Sequence, residues 1–184
     1  MPLTISTSVT SATGPTVDSP SRLAQLAQSQ GTPAPSGSSI VGLTIPVIRS
    51  DQTALQFETR NHGSEFRFNT GTLRLSLRQE IHLSSDLSEC ARNVWLLHEQ
   101  KHVRDNTNIM SRMESELRSD SQFAAILVNP TWAPRSQFQA AQHTVQERVG
   151  AIFMRLSTAA VQALDTAQEY ADTERQVRER CTDS

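Results

Sequence analysis

Between residues 40 and 83 there are three runs in which apolar residues recur at about every second position, the period of a β-strand with one buried face. The alternation is longest over residues 73–83, and shorter runs occupy residues 40–48 and 55–59. Turn signals stand at Asn61-His62-Gly63 and at Asn69-Thr70-Gly71. This pattern predicts a small, mainly antiparallel sheet with one face on the core.

The pattern changes to a helical period beyond residue 85. Asp86 and Glu89 have the spacing of a capping box, which predicts a helix start there. A single amphipathic pattern then runs from about residue 136 to 178, and Glu174 lies on its apolar stripe. We therefore expect an α+β fold, in which the small sheet packs on the first helix and on a long carboxy-terminal helix.

Residues 1–38 are rich in Ser, Thr, Pro and Gln, a composition that buries little apolar surface. We expect a disordered tail or export leader here, followed by one domain over residues 39–184. The segment lacks the basic start and the apolar run of a conventional signal peptide. It is either a plain linker or a Ser-rich leader for specialised bacterial secretion machinery. The second interpretation predicts a protein that is secreted or translocated from a bacterium.

Composition limits the classes of partner. The net charge is −2, which gives no electrostatic case for nucleic acid or an anionic membrane. No apolar run approaches the ~20 residues of a membrane span. The two cysteines, Cys90 and Cys181, lack the Cys-x-x-Cys spacing of metal sites. We favour a disulfide between them, with two buried free thiols as the alternative.

Residues 98–102 read His-Glu-Gln-Lys-His, and the apolar stretch Val94-Trp95-Leu96-Leu97 runs directly into them. On a helix, residues four apart lie on one face, so His98 and His102 can direct two imidazoles at one Zn²⁺. Glu99 is then close enough to take a proton from water bound to that ion. This arrangement is typical of zinc metallopeptidases. The alternative is a surface helix with two solvated histidines.

Catalytic zinc commonly has a third protein ligand, and Glu174 is the candidate because a carboxylate on a buried stripe needs a partner or a metal. If Cys90 and Cys181 are bonded across two antiparallel helices, His98 faces position 173 and His102 faces position 169. Glu174 and Tyr170 then lie opposite the two histidines, with Glu169 as the reserve ligand and Tyr170 as an oxyanion donor. The alternative for Glu174 is a solvated helix end. The other candidate side chains are interpreted as turn, strand-surface or helix-surface residues: His62, His82, His143, Glu147, Asp165 and Asp172.

The motif and the late segment Gln168-Glu-Tyr170-Ala-Asp172-Thr173-Glu174 resemble a family of small bacterial predicted secreted zinc-dependent proteases. The family motif commonly reads His-Glu-Gln-x-His, which residues 98–102 match. Many members carry a late Tyr-Asp-x-x-Thr signature followed by a histidine, whereas this chain has no histidine after Tyr170. The resemblance spans about residues 70–178. It implies a zincin-like fold and peptide-bond hydrolysis.

The sequence thus predicts a zinc metalloprotease acting on a peptide or protein, with His98, His102 and Glu174 as ligands and Glu99 as general base. One alternative is a zinc amidase or endopeptidase that cuts cell-wall peptides as an antibacterial effector. Another is a non-catalytic helical interaction protein whose zinc site is incidental or structural. Zinc content combined with the activity of Glu99→Gln separates the last case from the other two.

Overall fold

The structure is a computed structural model that describes residues 3–30 and 39–181. Its strands are β1 (Leu3–Val9), β2 (Thr13–Asp18), β3 (Gly42–Asp51), β4 (Leu55–Arg60), β5 (Glu65–Ser84) and β6 (Ala133–Pro134). Its α-helices are α1 (Pro20–Ser29), α2 (Glu89–Ser119), α3 (Ser121–Leu127), α4 (Phe138–Leu164) and α5 (Ala167–Arg180). Short 3₁₀ turns occupy Asn61–Gly63 and Arg135–Gln137. The expected α+β class is confirmed.

Strand β5 is the centre of the sheet, because every other strand pairs with it. β1 and β2 run parallel to β5, whereas β4 and the two-residue β6 run antiparallel to it. Parallel pairing accounts for the larger part of these registered positions, so the expected mainly antiparallel sheet is wrong. The expectation failed because both parallel strands come from the amino-terminal segment that was interpreted as a tail.

The amino-terminal segment is ordered wherever the structure describes it. Disorder over residues 1–38 is wrong for residues 3–30, which form β1, β2 and α1; residues 31–38 lie outside the described part of the chain. Strand pairing supplies this segment with backbone hydrogen bonds, and a few apolar side chains anchor it. Leu23 and Ala27 of α1 are fully buried, and Leu3 and Ile5 of β1 are nearly so.

The predicted alternation in β5 is confirmed. The inward positions Leu73, Leu75, Leu77, Gln79, Ile81 and Leu83 are all buried. Gln79 is buried with hydrogen-bond partners, since its amide donates to the Val103 carbonyl and accepts from Asn106. His82 was expected to face solvent, but it is buried too, and its Nδ1 lies 2.7 Å from Asp18 Oδ2. Strand β2, which pairs Thr16 with His82, covers this end of β5.

The described residues fall into two compact units. The first takes in residues 3–9, 48–77 and 107–157. The second takes in residues 10–30, 39–47, 78–106 and 158–181. The second unit has a core around Ile81, Leu83 and Trp95, and it contains the whole His-Glu-x-x-His motif. Both units include residues from the amino-terminal segment.

The long carboxy-terminal pattern forms two helices instead of one. α4 ends at Leu164 and α5 begins at Ala167. Thr166 caps α5, because its side-chain oxygen accepts a hydrogen bond from the Glu169 amide at 3.1 Å. The chain therefore changes direction at Asp165 and Thr166. Residues beyond this point do not face the positions of α2 that an unbroken helix would have placed opposite them.

A disulfide joins Cys90, at the start of α2, to Cys181, which follows α5. The predicted pairing is confirmed. It closes a loop between residues 91 positions apart, and it holds the end of α5 beside the first turn of α2. In the described residues, no helix is long and apolar enough to cross a membrane.

We predict that Cys90→Ser combined with Cys181→Ser lowers the free energy of unfolding by about 4 kcal/mol, because the unfolded chain regains the entropy of a long loop. Urea unfolding of wild type and the double variant measures the difference. Reductant should bring the wild type to the stability of the variant and leave the variant unchanged. Equal stability of wild type and the double variant in the absence of reductant would contradict the bond.

We also predict that Leu23→Ala destabilises the protein by about 2–5 kcal/mol, since it opens a cavity under a fully buried side chain. Val17→Ala is the matched control in the same segment, because Val17 is half exposed. A disordered leader predicts no effect for either variant. Chemical denaturation of both variants distinguishes an integral segment from such a leader.

Candidate metal centre

Helix α2 presents two imidazoles on one face. His98 and His102 are one helical turn apart, and their ring centroids lie 5.1 Å from each other. Both side chains are buried, with 2% and 8% exposure. The expected geometry of the motif is therefore present, and the alternative of two solvated histidines does not fit this burial.

Asp165 supplies the carboxylate that converges on the two histidines. Its Oδ1 atom lies 3.2 Å from His98 Nε2 and 2.9 Å from His102 Nε2. One ligand atom from each of the three residues lies within 4.8 Å of the other two, so the group can hold a metal ion. The donor set of two imidazoles and one carboxylate is one that proteins use for transition metals.

Asp165 replaces Glu174, which was predicted as the third ligand. The Glu174 side chain is 62% exposed and faces Arg178 on its own helix, 3.8 Å away. The prediction failed because it assumed an unbroken helix up to residue 178. The interruption at Asp165 and Thr166 places Asp165 at the helix junction, away from the solvated face to which it was assigned.

A sequence signal for this junction exists. Thr166-Ala-Gln-Glu169 has the Ser/Thr-x-x-Glu spacing of a capping box, which marks a helix start. It lies inside the long amphipathic pattern, whose continuous periodicity hid it. If a helix starts at Thr166, Asp165 precedes the N-cap. It is then not bound to the exposed face of a long helix.

The charges of this group depend on one another. Burial by itself raises the pKa of Asp165, but its hydrogen bonds to His102 and His98 outweigh burial and hold the pKa well below the usual range. Burial lowers the pKa of His102, whereas the Asp165 hydrogen bond and the Glu99 charge more than compensate and raise it. The site thus keeps its carboxylate ionised at neutral pH, as a metal ligand must be.

Glu99 is almost completely buried, at 4% exposure, and strand β3 holds it. The Thr44 hydroxyl donates to Glu99 Oε2 at 2.7 Å. The other carboxylate oxygen lies against Gly42, where an added Cβ would clash with Oε1. Burial raises the pKa of Glu99 above the usual value, although the charges of the two histidines and the Thr44 hydrogen bond oppose the shift. Neither Thr44 nor Gly42 belongs to a sequence pattern that predicts this contact.

Tyr170 lies beside the candidate metal ligand His98, as predicted. Its ring centroid is 5.5 Å from that of His98 and 5.7 Å from that of Trp95. Burial, followed by the negative charges of Asp165 and Glu99, raises the pKa of its hydroxyl. A tyrosine hydroxyl is protonated at neutral pH even at its usual pKa of about 10, so it is able to donate a hydrogen bond.

Glu169, the reserve ligand, lies near His98 on a different side of the ring. Its Oε1 is 3.7 Å from His98 Nδ1, and the same carboxylate forms an ion pair with Lys101. The Lys101 hydrogen bond lowers the pKa of Glu169. It is consequently not part of the group that converges through the Nε2 atoms.

Two of the three histidines outside this group, His62 and His143, lie on the surface, whereas His82 is buried. His62 is exposed in a 3₁₀ turn with φ of 58°, and His143 is an exposed helix residue that pairs with Glu147. Their expected surface positions agree with the structure.

We predict that Asp165→Ala abolishes stoichiometric zinc binding, because it removes the shared carboxylate. Glu174→Ala is the matched control and should bind as much zinc as wild type, since that side chain is exposed. Metal content after loading and dialysis, read by mass spectrometry, provides the test. Loss of zinc in Glu174→Ala with retention in Asp165→Ala would restore the original ligand prediction.

Comparison of the chain with protein-family models, with curated proteins and with solved structures found no match.

Proposed function

We propose that the protein is a zinc-dependent hydrolase of peptide bonds. The observation that carries the proposal is the convergence of His98, His102 and Asp165, with the buried Glu99 adjacent in sequence to His98. Two histidines and a carboxylate leave a fourth position open, which is the ligand arrangement of catalytic zinc and not of closed structural sites. Zn²⁺ bound there would supply a Lewis acid and lower the pKa of a bound water.

Glu99 is the proposed general base. A carboxylate whose pKa burial has raised accepts a proton more readily near neutral pH than a solvated one does. Thr44 fixes one carboxylate oxygen, so the side chain has little freedom to turn away. The same carboxylate then delivers the proton to the departing amine, which leaves Glu99 ionised for the next turnover.

Tyr170 is the proposed oxyanion donor. Its hydroxyl is protonated at neutral pH, and its ring is anchored against His98 and Trp95. A fixed hydrogen-bond donor beside the reacting carbonyl stabilises the negative charge that develops there. The ring is also 38% exposed, so a substrate can reach it.

The substrate is proposed to be an extended peptide segment. β1 pairs with residues 71–77 of β5 and β2 pairs with residues 80–84, so these parts of the long strand already have a strand partner. β3 fits better, since β5 is its only strand partner among the described residues and it carries Thr44 beside Glu99. An unpaired edge of this kind accepts a peptide as an added strand.

The disulfide supports a destination outside the reducing cytosol, because persistent disulfides form in oxidising compartments. We propose that the protein acts after export from the cell that makes it. Expression with and without a route to an oxidising compartment, followed by thiol labelling, tests this directly.

We predict that Glu99→Gln lowers kcat/KM on a fluorescent unstructured protein by roughly 10²–10⁴-fold while zinc content stays at one ion per chain. The amide keeps the shape of the side chain but cannot accept the proton. Cross-linked cell-wall peptides are tested as a second substrate in the same assay. Cleavage of these peptides alone would identify the amidase alternative. Zinc binding without cleavage of either substrate class would leave the non-catalytic alternative.

We predict that Thr44→Val lowers kcat by roughly 10–100-fold, the effect of losing a hydrogen bond to a charged group. Valine keeps the volume of threonine, whereas Thr44→Ser keeps the hydroxyl and should retain most of the activity. Steady-state kinetics of the two variants at saturating zinc measures the difference. Equal rates for both variants would show that the hydrogen bond does not position Glu99.

A further inference from the structure

The second ring nitrogen of His98 lacks a hydrogen-bond partner in the described part of the chain. Its Nδ1 atom is buried, while its Nε2 atom faces Asp165. A buried imidazole nitrogen without a partner costs free energy. The polar group that faces this nitrogen is Glu169 Oε1, at 3.7 Å.

Glu169 is held in place from several directions. Its amide donates to the Thr166 side chain, which caps α5, and its carboxylate pairs with Lys101 of the motif helix. The residue lies in the first turn of α5, where the helix dipole favours a negative charge. Lys101 fills one of the two variable positions of the His-Glu-x-x-His motif, so the motif itself supplies the residue that holds Glu169.

Glu169 cannot share a metal ion with the Nε2 atoms. The two nitrogens of an imidazole point away from each other, so a group that faces Nδ1 lies on the far side of the ring from a metal at Nε2. What a carboxylate at Nδ1 does is accept the Nδ1–H hydrogen bond. This hydrogen bond leaves Nε2 deprotonated and ready to bind a cation.

We propose that Glu169 is the positioning residue of His98, and that it fixes the tautomer and the orientation with which His98 binds zinc. The inference rests on the proposed function, because it needs a metal at the group formed with Asp165. The 3.7 Å separation exceeds the usual N–H···O distance of about 2.9 Å by roughly 0.8 Å. A shift of that size of the Glu169 carboxylate towards the ring brings Oε1 within hydrogen-bond distance of Nδ1.

The test compares zinc affinity in Glu169→Ala, Glu169→Gln and Glu174→Ala, measured by competition with a fluorescent chelator. Glu169→Ala should raise the zinc Kd by roughly 10–100-fold, the usual effect of removing an orienting carboxylate. Glu169→Gln should fall between Glu169→Ala and wild type, because its amide oxygen still accepts the hydrogen bond without the charge. Glu174→Ala, the control from the same helix, should stay within about twofold of wild type. Thermal unfolding of the metal-free proteins establishes that each variant is folded.

A spectroscopic readout separates positioning from a merely structural role. In zinc-loaded protein labelled with ¹⁵N-histidine, the His98 Nδ1–H proton should move upfield in Glu169→Gln relative to wild type. An unchanged resonance together with an unchanged Kd would overturn the inference while the metal site stands. Complete loss of zinc in Glu169→Ala, equal to that in Asp165→Ala, would make Glu169 a ligand and also overturn it. Absence of zinc binding in wild type would instead overturn the proposed function.

Discussion

One carboxylate oxygen, Asp165 Oδ1, shared between two buried imidazoles is the interaction around which the second unit is arranged. A buried charge is costly unless it is paired or binds a cation, and the same applies to two imidazoles enclosed side by side. The three groups therefore satisfy one another or hold a metal together. The two histidines are buried, so the packing around them holds the group in its alignment.

Two kinds of constraint produce that alignment. Helical periodicity in α2 sets the spacing of His98 and His102, and it requires no information from elsewhere in the chain. The position of Asp165 depends on the break between α4 and α5, on the Thr166 cap, and on the disulfide that ties the far end of α5 to α2. The first constraint is local, whereas the second joins residues far apart in sequence.

The sheet forms the surroundings of Glu99 as well as part of the core. β3 places the Thr44 hydroxyl at one carboxylate oxygen of Glu99 and the backbone of Gly42 at the other, so this strand contacts both oxygens of the proposed base. β2 and α1, from a segment with the composition of a disordered tail, belong to the same compact unit. Their order comes from strand pairing and from the burial of a few residues such as Leu23, features that composition does not report.

Local repetition along the sequence is enough to predict the inward face of β5, the helical spacing of the two histidines and the neighbouring Glu99. The two cysteines have only each other as partners within the chain, and that pairing also predicts that Tyr170 lies at the site. Only the tertiary structure decided that Asp165 takes the place of Glu174, that Thr44 and Gly42 hold Glu99, and that β1 and β2 run parallel to β5. The physical reason is that these features arise from contacts between distant segments, and a two-residue interruption of a helix redirects all the side chains beyond it.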